Sequence, residues 1–445
     1  MEQTNNLKKV LGFTDVMGIA IGQIIGAGVM SLTGIGIQMT GSGITPAFIL
    51  SSLITLLTMF PIAILGSALP TTGGMYQYTS RLLSPKVGIF WLLLFMLVQI
   101  TLSLYALSFA QYLEGLLPGI PIRTVSFILI TLLFIVNIVG VKSASIVGNL
   151  MVITLIIALS CFIILGFPHV NFKAFNTTTM FPDGFTGFFT AVGLVSFATG
   201  GAQVVAELGG EMKNPKRDIP IVIIVATIFV GLLYAFIASI AVGVLPIPEV
   251  AGQPLTSVAH KVLPTPAFIF FMVGGAMFAL ATTLNSTFTW VTKSLLIAIK
   301  DGYLPKSLGQ VNQRFGTPHW LLFIFYLIGV IPIITGMSLN VVAQLGTGIS
   351  LIVFAFPALA VTQLPKKYPE AYRNSPLKVA YPLLVTIAVS SIIVLIYQSY
   401  LLISDLKTGY IIGTLLYILF ALGVAHFSNK RANLSTQHIA LSTSK

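Results

Sequence analysis

Gly18-Ile-Ala-Ile-Gly22-Gln-Ile-Ile-Gly26-Ala-Gly28-Val-Met-Ser-Leu-Thr-Gly34 runs through the first apolar span of the chain and places Gly26-Ala27-Gly28 near its middle, with Gly22 one turn earlier. Glycine costs a helix roughly 1 kcal/mol relative to alanine. Inside a bilayer, every backbone N–H or C=O freed by unwinding adds a further penalty unless something satisfies it. A break at that depth is tolerated where it lines a cavity and the open helix ends face a ligand, as in secondary transporters. The competing reading is a small-xxx-small packing face built on Gly22 and Gly26.

The surrounding chain decides whether that depth is real. Its 445 residues are 56% apolar and 8% charged, with a mean hydropathy of +0.98, which excludes a soluble domain. Apolar runs long enough to cross a hydrocarbon core of roughly 30 Å recur along the sequence. Twelve are counted, at 12–39, 44–69, 87–113, 124–140, 146–166, 185–208, 219–245, 267–292, 318–336, 340–362, 380–402 and 409–427. The fourth and ninth are the shortest. The first span is too long for a cleavable signal and leads directly into a second. Cys161 is the only cysteine and lies inside an apolar span, so a disulfide framework and a cysteine metal site are both excluded.

A net charge of +12 would point to nucleic acid in a soluble protein. Here it reads as orientation. With the N-terminus inside, Arg123, Lys173, Lys261 and Lys407 are the only basic residues in outer segments, and the other nineteen of the 23 lie inside. That bias predicts a multi-pass protein of the cell membrane with both termini cytoplasmic. Its partners are then the lipid bilayer and a small-molecule substrate, with no nucleic acid. Nothing in the sequence specifies an accessory subunit.

Punctuation concentrates in the inner loops. Leu69-Pro-Thr-Thr-Gly-Gly-Met-Tyr-Gln-Tyr78 reads as a tight turn, with Tyr76 and Tyr78 expected to anchor at the interface. The basic stretch ending at Asp301-Gly-Tyr-Leu-Pro-Lys306 reads as a short amphipathic helix on the membrane surface. The end of the chain from Ser428 reads as a mobile polar tail. The sixth span, through Phe197-Ala-Thr-Gly-Gly-Ala-Gln203, sets Gly200 and Gly201 together about halfway along. Interrupted segments at corresponding positions of two halves are the best sequence pointer to an inverted-repeat carrier and its site, and paired breaks are harder to attribute to packing than one.

Four spaced motifs now carry a resemblance. Gly26-Ala-Gly28-Val, Pro70-x-x-Gly73-Gly-x-Tyr-x-Tyr78, Glu211-Met-Lys-Asn-Pro-x-Arg217-x-x-Pro220 and Lys300-Asp-Gly-x-Leu-Pro305 resemble the amino acid–polyamine–organocation superfamily over about residues 8–380. Gly-Glu-Met-Lys-Asn-Pro is similar to exchangers related to the L-type transporters. The resemblance implies an all-α polytopic membrane protein of the leucine-transporter-like type, with a 5+5 inverted repeat and two peripheral helices. The organisation would be a tail at 1–10, spans one to five within 11–166, spans six to ten within 167–362, peripheral spans within 363–427 and a tail at 428–445. It further implies that the substrate carboxylate meets the backbone amides of Ala27 and Gly28 beside Gly26. The ammonium would meet carbonyls of Ile24, Phe197 and Gly200, next to Gly201. Phe197 matches the family's aromatic gate; its alternative is an ordinary core or lipid-facing Phe. Helix electrostatics agree, since a half-helix N-terminus suits an anion and half-helix C-termini suit a cation.

Two departures bear on coupling. Where several members carry an acid just after the sixth-span break, this chain has Gln203. Where many carry a lysine in the fifth span, residues 147–160 contain none, and the matching position is about Thr154. Proton coupling through those groups is therefore not expected. Glu207 remains as a proton-linked or inner-gate carboxylate, against the reading that it pairs with Lys213 or closes a helix end. Thr282, Thr283, Ser286 and Thr287, with Thr154, offer oxygens that suit a hard cation; the competing reading is helix–helix hydrogen bonding, as for Gln99, Asn137 and Asn149. The five histidines lie in loops, at a span end or in the tail, so no metal cluster is read. Neither a catalytic residue nor a cofactor is indicated, which argues against a membrane enzyme. A channel would need a repeated ring of charges or carbonyls. No charged side chain lies at mid-depth of the pocket, so the expected cargo is a neutral amino acid moved by exchange or facilitated transport. The alternatives are sodium or proton symport and antiport of polyamines or cationic amino acids.

Overall fold

The computed structural model describes residues 9–404 and 406–428, and of Ala27, Ser31, Thr177, Thr178, Phe197 and Asn340 it describes the backbone alone. The tail expected to be mobile lies outside the described residues beyond Ser428. Among the described residues the chain is helical, with two isolated β-bridges, Leu11 with Met212 and Thr72 with Leu208. A chain this apolar satisfies its backbone polar groups within helices because the bilayer offers no substitute.

Among the described residues, nine helical stretches are long and apolar enough to cross a membrane, including Leu32–Ala68, Val141–His169 and Pro215–Val244. Three shorter apolar helices accompany them, Ile122–Ile138, Gly184–Ser196 and His319–Thr335. The first and third of these fall on the runs read as shortest in the sequence.

Several expected spans are not single helices. The first is split into Phe13–Ile24 and Ala27–Thr40. The third bends between Pro85–Val98 and Thr101–Leu116, where Gln99 Nε2 donates to the Phe95 carbonyl 2.9 Å away and the Gln99 N–H turns to Met96 instead. A side chain entering the i−4 ladder is a standard cause of such a kink. The sixth, expected helical to 208, ends as an α-helix at Thr199 and resumes as the 3₁₀ segment Ala202–Glu207. The eighth widens into a π-helical stretch, Phe271–Met277, around Gly274 and Gly275.

The two ends of the bundle are closed differently. At one end, Leu11 N–H donates to the Glu211 carbonyl at 3.0 Å and Lys213 N–H to the Leu11 carbonyl at 2.9 Å, tying the start of the first helix to the segment after the 3₁₀ turn. Three ion pairs gather there, Arg81 with Asp301, Lys142 with Asp15 and Lys293 with Glu211. At the other end the ties are backbone and hydroxyl contacts, Gly252 N–H to the Gly34 carbonyl (2.8 Å) and Thr40 Oγ1 to the Met180 carbonyl (2.9 Å).

Two expectations are corrected at the ion-paired end. Tyr76 and Tyr78 are buried inside the bundle, where Tyr76 Oη donates to Asp301 Oδ2 at 3.2 Å. The short helix after the eighth span, Thr292–Lys300, is buried from Thr292 to Ile299 and does not lie on a surface. Its Ser294 and Lys293 are consumed by the two glutamates that follow the sixth-span break.

Candidate functional site

The Phe13–Ile24 helix makes its last regular bond from Ile25 N–H to the Ile21 carbonyl at 2.8 Å. Ile25 then turns extended (φ −78°, ψ 95°) and Gly26 follows at φ −130°, ψ −146°. The carbonyls that lose their helical partners are met by side chains from elsewhere. Thr283 Oγ1 lies 2.8 Å from the Gly22 carbonyl and 3.1 Å from that of Ile25, and Tyr234 Oη donates to the Ile24 carbonyl at 3.4 Å. On the other side of the break, Gly26 provides no side-chain cap for the Ala27–Thr40 helix. Its first amides form a partly positive helix end.

The second break answers the first. Gly200 is extended (φ −83°, ψ 155°) and Gly201 takes φ +141°, a region that favours glycine. A methyl on Gly201 would stand 2.9 Å from the carbonyl carbon and oxygen of Gln23 and 3.0 Å from Ile24 N, so the two breaks cross in direct contact. Thr55 Oγ1 meets the freed end of the Gly184–Thr199 helix, 2.7 Å from Thr199 Oγ1 and 3.3 Å from the Ser196 carbonyl. Gln203 folds back on its own break, its Oε1 accepting from Gly201 N–H at 3.0 Å.

The structure thus brings Ile24, Gly26, Gly200, Gly201 and Gln203 together with the backbones of Ala27 and Phe197, whose side chains lie outside the described ones. Gly28 has a second role. A methyl there would fall 2.5 Å from Ala198 Cβ and 2.8 Å from its Cα, so Gly28 is where the Ala27–Thr40 and Gly184–Thr199 helices close on each other.

The hydroxyls do not act as one set. Thr283 serves the first break, while Thr282 Oγ1 donates within its own helix to Ala279. Ser286 Oγ packs against Gly22, 3.1 Å from where a methyl would stand. Thr287 Oγ1 lies 3.2 Å from Gln23 Oε1. Thr154 Oγ1 donates to the Leu150 carbonyl at 3.0 Å and its methyl faces Gly274. Val152 is the residue of that helix that packs on Gly22.

Glu207 is fully buried and closes a helix end. Its Oε1 accepts from Met75 N–H at 2.9 Å, at the start of the Gly74–Tyr78 helix, and its Oε2 accepts from Ser294 Oγ at 2.6 Å. Lys213 makes no such contact; the buried lysine nearby, Lys293, pairs with Glu211. A carboxylate at an uncapped helix start is favoured both by the hydrogen bond and by the helix dipole.

Four participants were not singled out in the sequence. Gln23 accepts from Trp290 Nε1 at 3.0 Å as well as from Thr287; an amide one turn before a mid-span glycine was a readable signal. Thr55, Tyr234 and Trp290 carried none, because their partners are brought from distant spans by packing alone. A cavity of about 540 Å³ lined by Gln111, Tyr112, His260 and Lys261 opens elsewhere and takes no lining from either break.

A family profile described as amino acid permease matches residues 11–425. The chain is 28% identical over 397 residues to a branched-chain amino acid permease, BcaP, of Bacillus subtilis (strain 168), covering 83% of each. It is 28% identical over 348 residues to the serine/threonine exchanger SteT of the same organism, covering 73% of this chain and 76% of that one. It is also 28% identical over 342 residues to cationic amino acid transporter 3, mitochondrial, of Arabidopsis thaliana, covering 70% and 55%.

Proposed function

The chain belongs to the amino acid permease family of the amino acid–polyamine–organocation superfamily, and we propose that it is an alternating-access transporter of neutral amino acids working by exchange or facilitated movement. It is a transporter and not an enzyme. The observation that carries the substrate reading is the contact of two helix breaks, with the start of the Ala27–Thr40 helix beside the carbonyl ends at Ile24 and Thr199. A zwitterion is matched there by backbone, its carboxylate at the amides of Ala27 and Gly28 and its ammonium at the carbonyls of Ile24, Phe197 and Gly200. Phe197 closes over it as a gate.

A twelve-span arrangement supports that reading, counting the three shorter apolar helices as spans and grouping them as a 5+5 inverted repeat within 11–166 and 167–362, with peripheral spans in 363–427. The basic segments Arg81, Lys142 and Lys293 gather at one end of the bundle, which fits a cytoplasmic face there and cytoplasmic termini in a cell-membrane protein. That face is closed in this conformation by ion pairs and a capped helix end. Opening it to the cytoplasm requires the layer of Asp15, Glu207, Glu211 and Asp301 contacts to part.

The neutral cargo follows from the break itself. The charged side chains near it are paired or capping a helix at one end, leaving none at the crossing to balance a charged cargo. The related proteins named above move branched-chain, hydroxylated and cationic amino acids by their names, so the family alone does not choose. Coupling to sodium through Thr283 and the Gly22 and Ile25 carbonyls is the second reading, favoured by the convergence of those oxygens. Counterflow in proteoliposomes tests the whole proposal. Saturable uptake accelerated by internal amino acid supports a carrier; current without saturation points to a channel, and failure of every amino acid to exchange removes the proposal.

A further inference from the structure

Gln23 is a polar side chain at the crossing of the two breaks, and its orientation is set from one side. Its Oε1 accepts from Trp290 Nε1 at 3.0 Å and from Thr287 Oγ1 at 3.2 Å. Both donors sit on the Phe278–Trp290 helix and both are buried. The Trp290 indole N–H can only donate, so a flipped amide would set donor against donor, whereas the Thr287 hydroxyl, which also has the Thr283 carbonyl 2.8 Å away, could accept; the Trp290 bond is what turns Nε2 away. Among the described residues nothing accepts from Nε2. Gln23 is also only part-buried, between Gly22 and Ile24, which are buried. Gly200, across the crossing, is likewise part-buried. An amide donor held open at mid-depth in a membrane protein is costly unless a ligand or water takes it.

Resting on the transport reading above, we propose that Gln23 is a specificity-determining residue: its Nε2 donates to an oxygen acceptor in the side chain of the substrate, selecting small uncharged polar amino acids (hydroxyl or carboxamide) over branched aliphatic ones. The backbone breaks hold the α-carboxylate and α-ammonium common to every amino acid, so they do not discriminate. A fixed donor does. An aliphatic side chain would leave Nε2 unpaired and dry, and sites built to bond a substrate group reject analogues that lack it. Trp290 and Thr287 are positioning residues in this scheme, since they act on the substrate through the Gln23 amide.

The test is competition in counterflow by the reconstituted full chain, with serine, threonine, asparagine and glutamine set against valine, leucine and isoleucine. The wild type is expected to prefer the polar group. In Gln23→Leu that preference should fall by about tenfold or more, with uptake of the aliphatic group kept or raised. Trp290→Phe keeps the ring and removes the donor, and should lose part of the preference without losing uptake. Ligand-induced shifts in thermal stability, read on the same panel, report binding even in a variant too slow to transport. An unchanged polar-to-aliphatic ratio in Gln23→Leu, or an equal weakening of every amino acid, overturns the specificity role; the second result would place Nε2 on the α-carboxylate. Absence of exchange and of thermal shift with every amino acid in the wild type instead overturns the transport reading, and the specificity role with it.

Discussion

Thr283 Oγ1 stands 2.8 Å from the Gly22 carbonyl and 3.1 Å from the Ile25 carbonyl, so one hydroxyl of a later helix completes the broken end of the first. It is also 2.9 Å from the Ala279 carbonyl of its own helix. Three acceptors share one proton, which makes Thr283 the residue that lets the break exist in a dry interior. Thr283→Val, similar in shape but without the hydroxyl, should destabilise the protein by about 1–3 kcal/mol and impair transport. Thr283→Ser should restore most of both. The melting temperature of the purified protein, read beside counterflow, checks this. Valine matching wild type in both would show that the carbonyls are satisfied some other way.

Gly26 and Gly28 should separate site from packing. A methyl at Gly28 meets the Ala198 backbone at 2.8 Å, whereas one at Gly26 meets only Thr283 Oγ1 at 3.0 Å. Gly28→Ala is therefore expected to lower folded yield, because packed interiors do not absorb such overlap cheaply. Gly26→Ala presses on the Thr283 hydroxyl alone, so it should cost less folded yield than Gly28→Ala and bind substrate more weakly. Size-exclusion yield and counterflow affinity, measured together, decide; a well-folded Gly28→Ala would refute the close-packing account.

Glu207 should behave as a structural carboxylate. Glutamine at this position can accept from Met75 N–H and donate to Ser294 Oγ, so Glu207→Gln is expected to retain transport with an unaltered pH profile. Glu207→Ala leaves the Met75 amide unpaired and should cost about 1–3 kcal/mol of stability. Counterflow of both variants across a pH series is the measurement. A pH dependence present in the wild type and abolished in Glu207→Gln would move Glu207 into the proton pathway.

The sequence carried the breaks well and their surroundings poorly, for a physical reason. Paired glycines in apolar helices announce a conformational defect locally, and Gly26 and Gly200-Gly201 lie where the chain unwinds. What satisfies a defect is a long-range matter. Thr283 is separated from Gly22 by 261 residues and Tyr234 from Ile24 by 210, and no local pattern pairs them. Nor does counting show which side chain of a helix meets a neighbour: Thr154 is the approximate match to the family's fifth-span position, and Val152, two residues earlier, is turned to Gly22. Tyr76 looked like an interface anchor because its loop is short and polar, and it is buried because Asp301 gives its hydroxyl a partner inside.

Phe197 should act by area and by excluding water if it closes over the substrate. Phe197→Ala is then expected to weaken apparent affinity and slow translocation, with Phe197→Trp keeping part of both, since an aromatic replacement preserves contact. Kinetics of the two variants in counterflow compare them directly. Near-normal and equal values would assign Phe197 to packing.

Coupling is the remaining prediction. The fifth-span helix brings Val152 rather than a lysine to Gly22, and Gln203 spends its Oε1 on Gly201 N–H. Neither supplies a titrating group at the crossing, and Glu207 is engaged by Met75 and Ser294. Exchange of a neutral zwitterion through such a site moves no net charge, so counterflow should proceed in sodium-free buffer with equal pH on both sides and should not respond to an imposed potential. The threat to this is the oxygen-rich corner at Thr283, where the Gly22, Ile25 and Ala279 carbonyls converge and a hard cation would be at home. Uptake that appears only when sodium is added would make the protein a symporter. Thr283→Ala would then abolish the sodium response, while Thr287→Ala, whose hydroxyl faces Gln23 and the Thr283 carbonyl, would leave it in place.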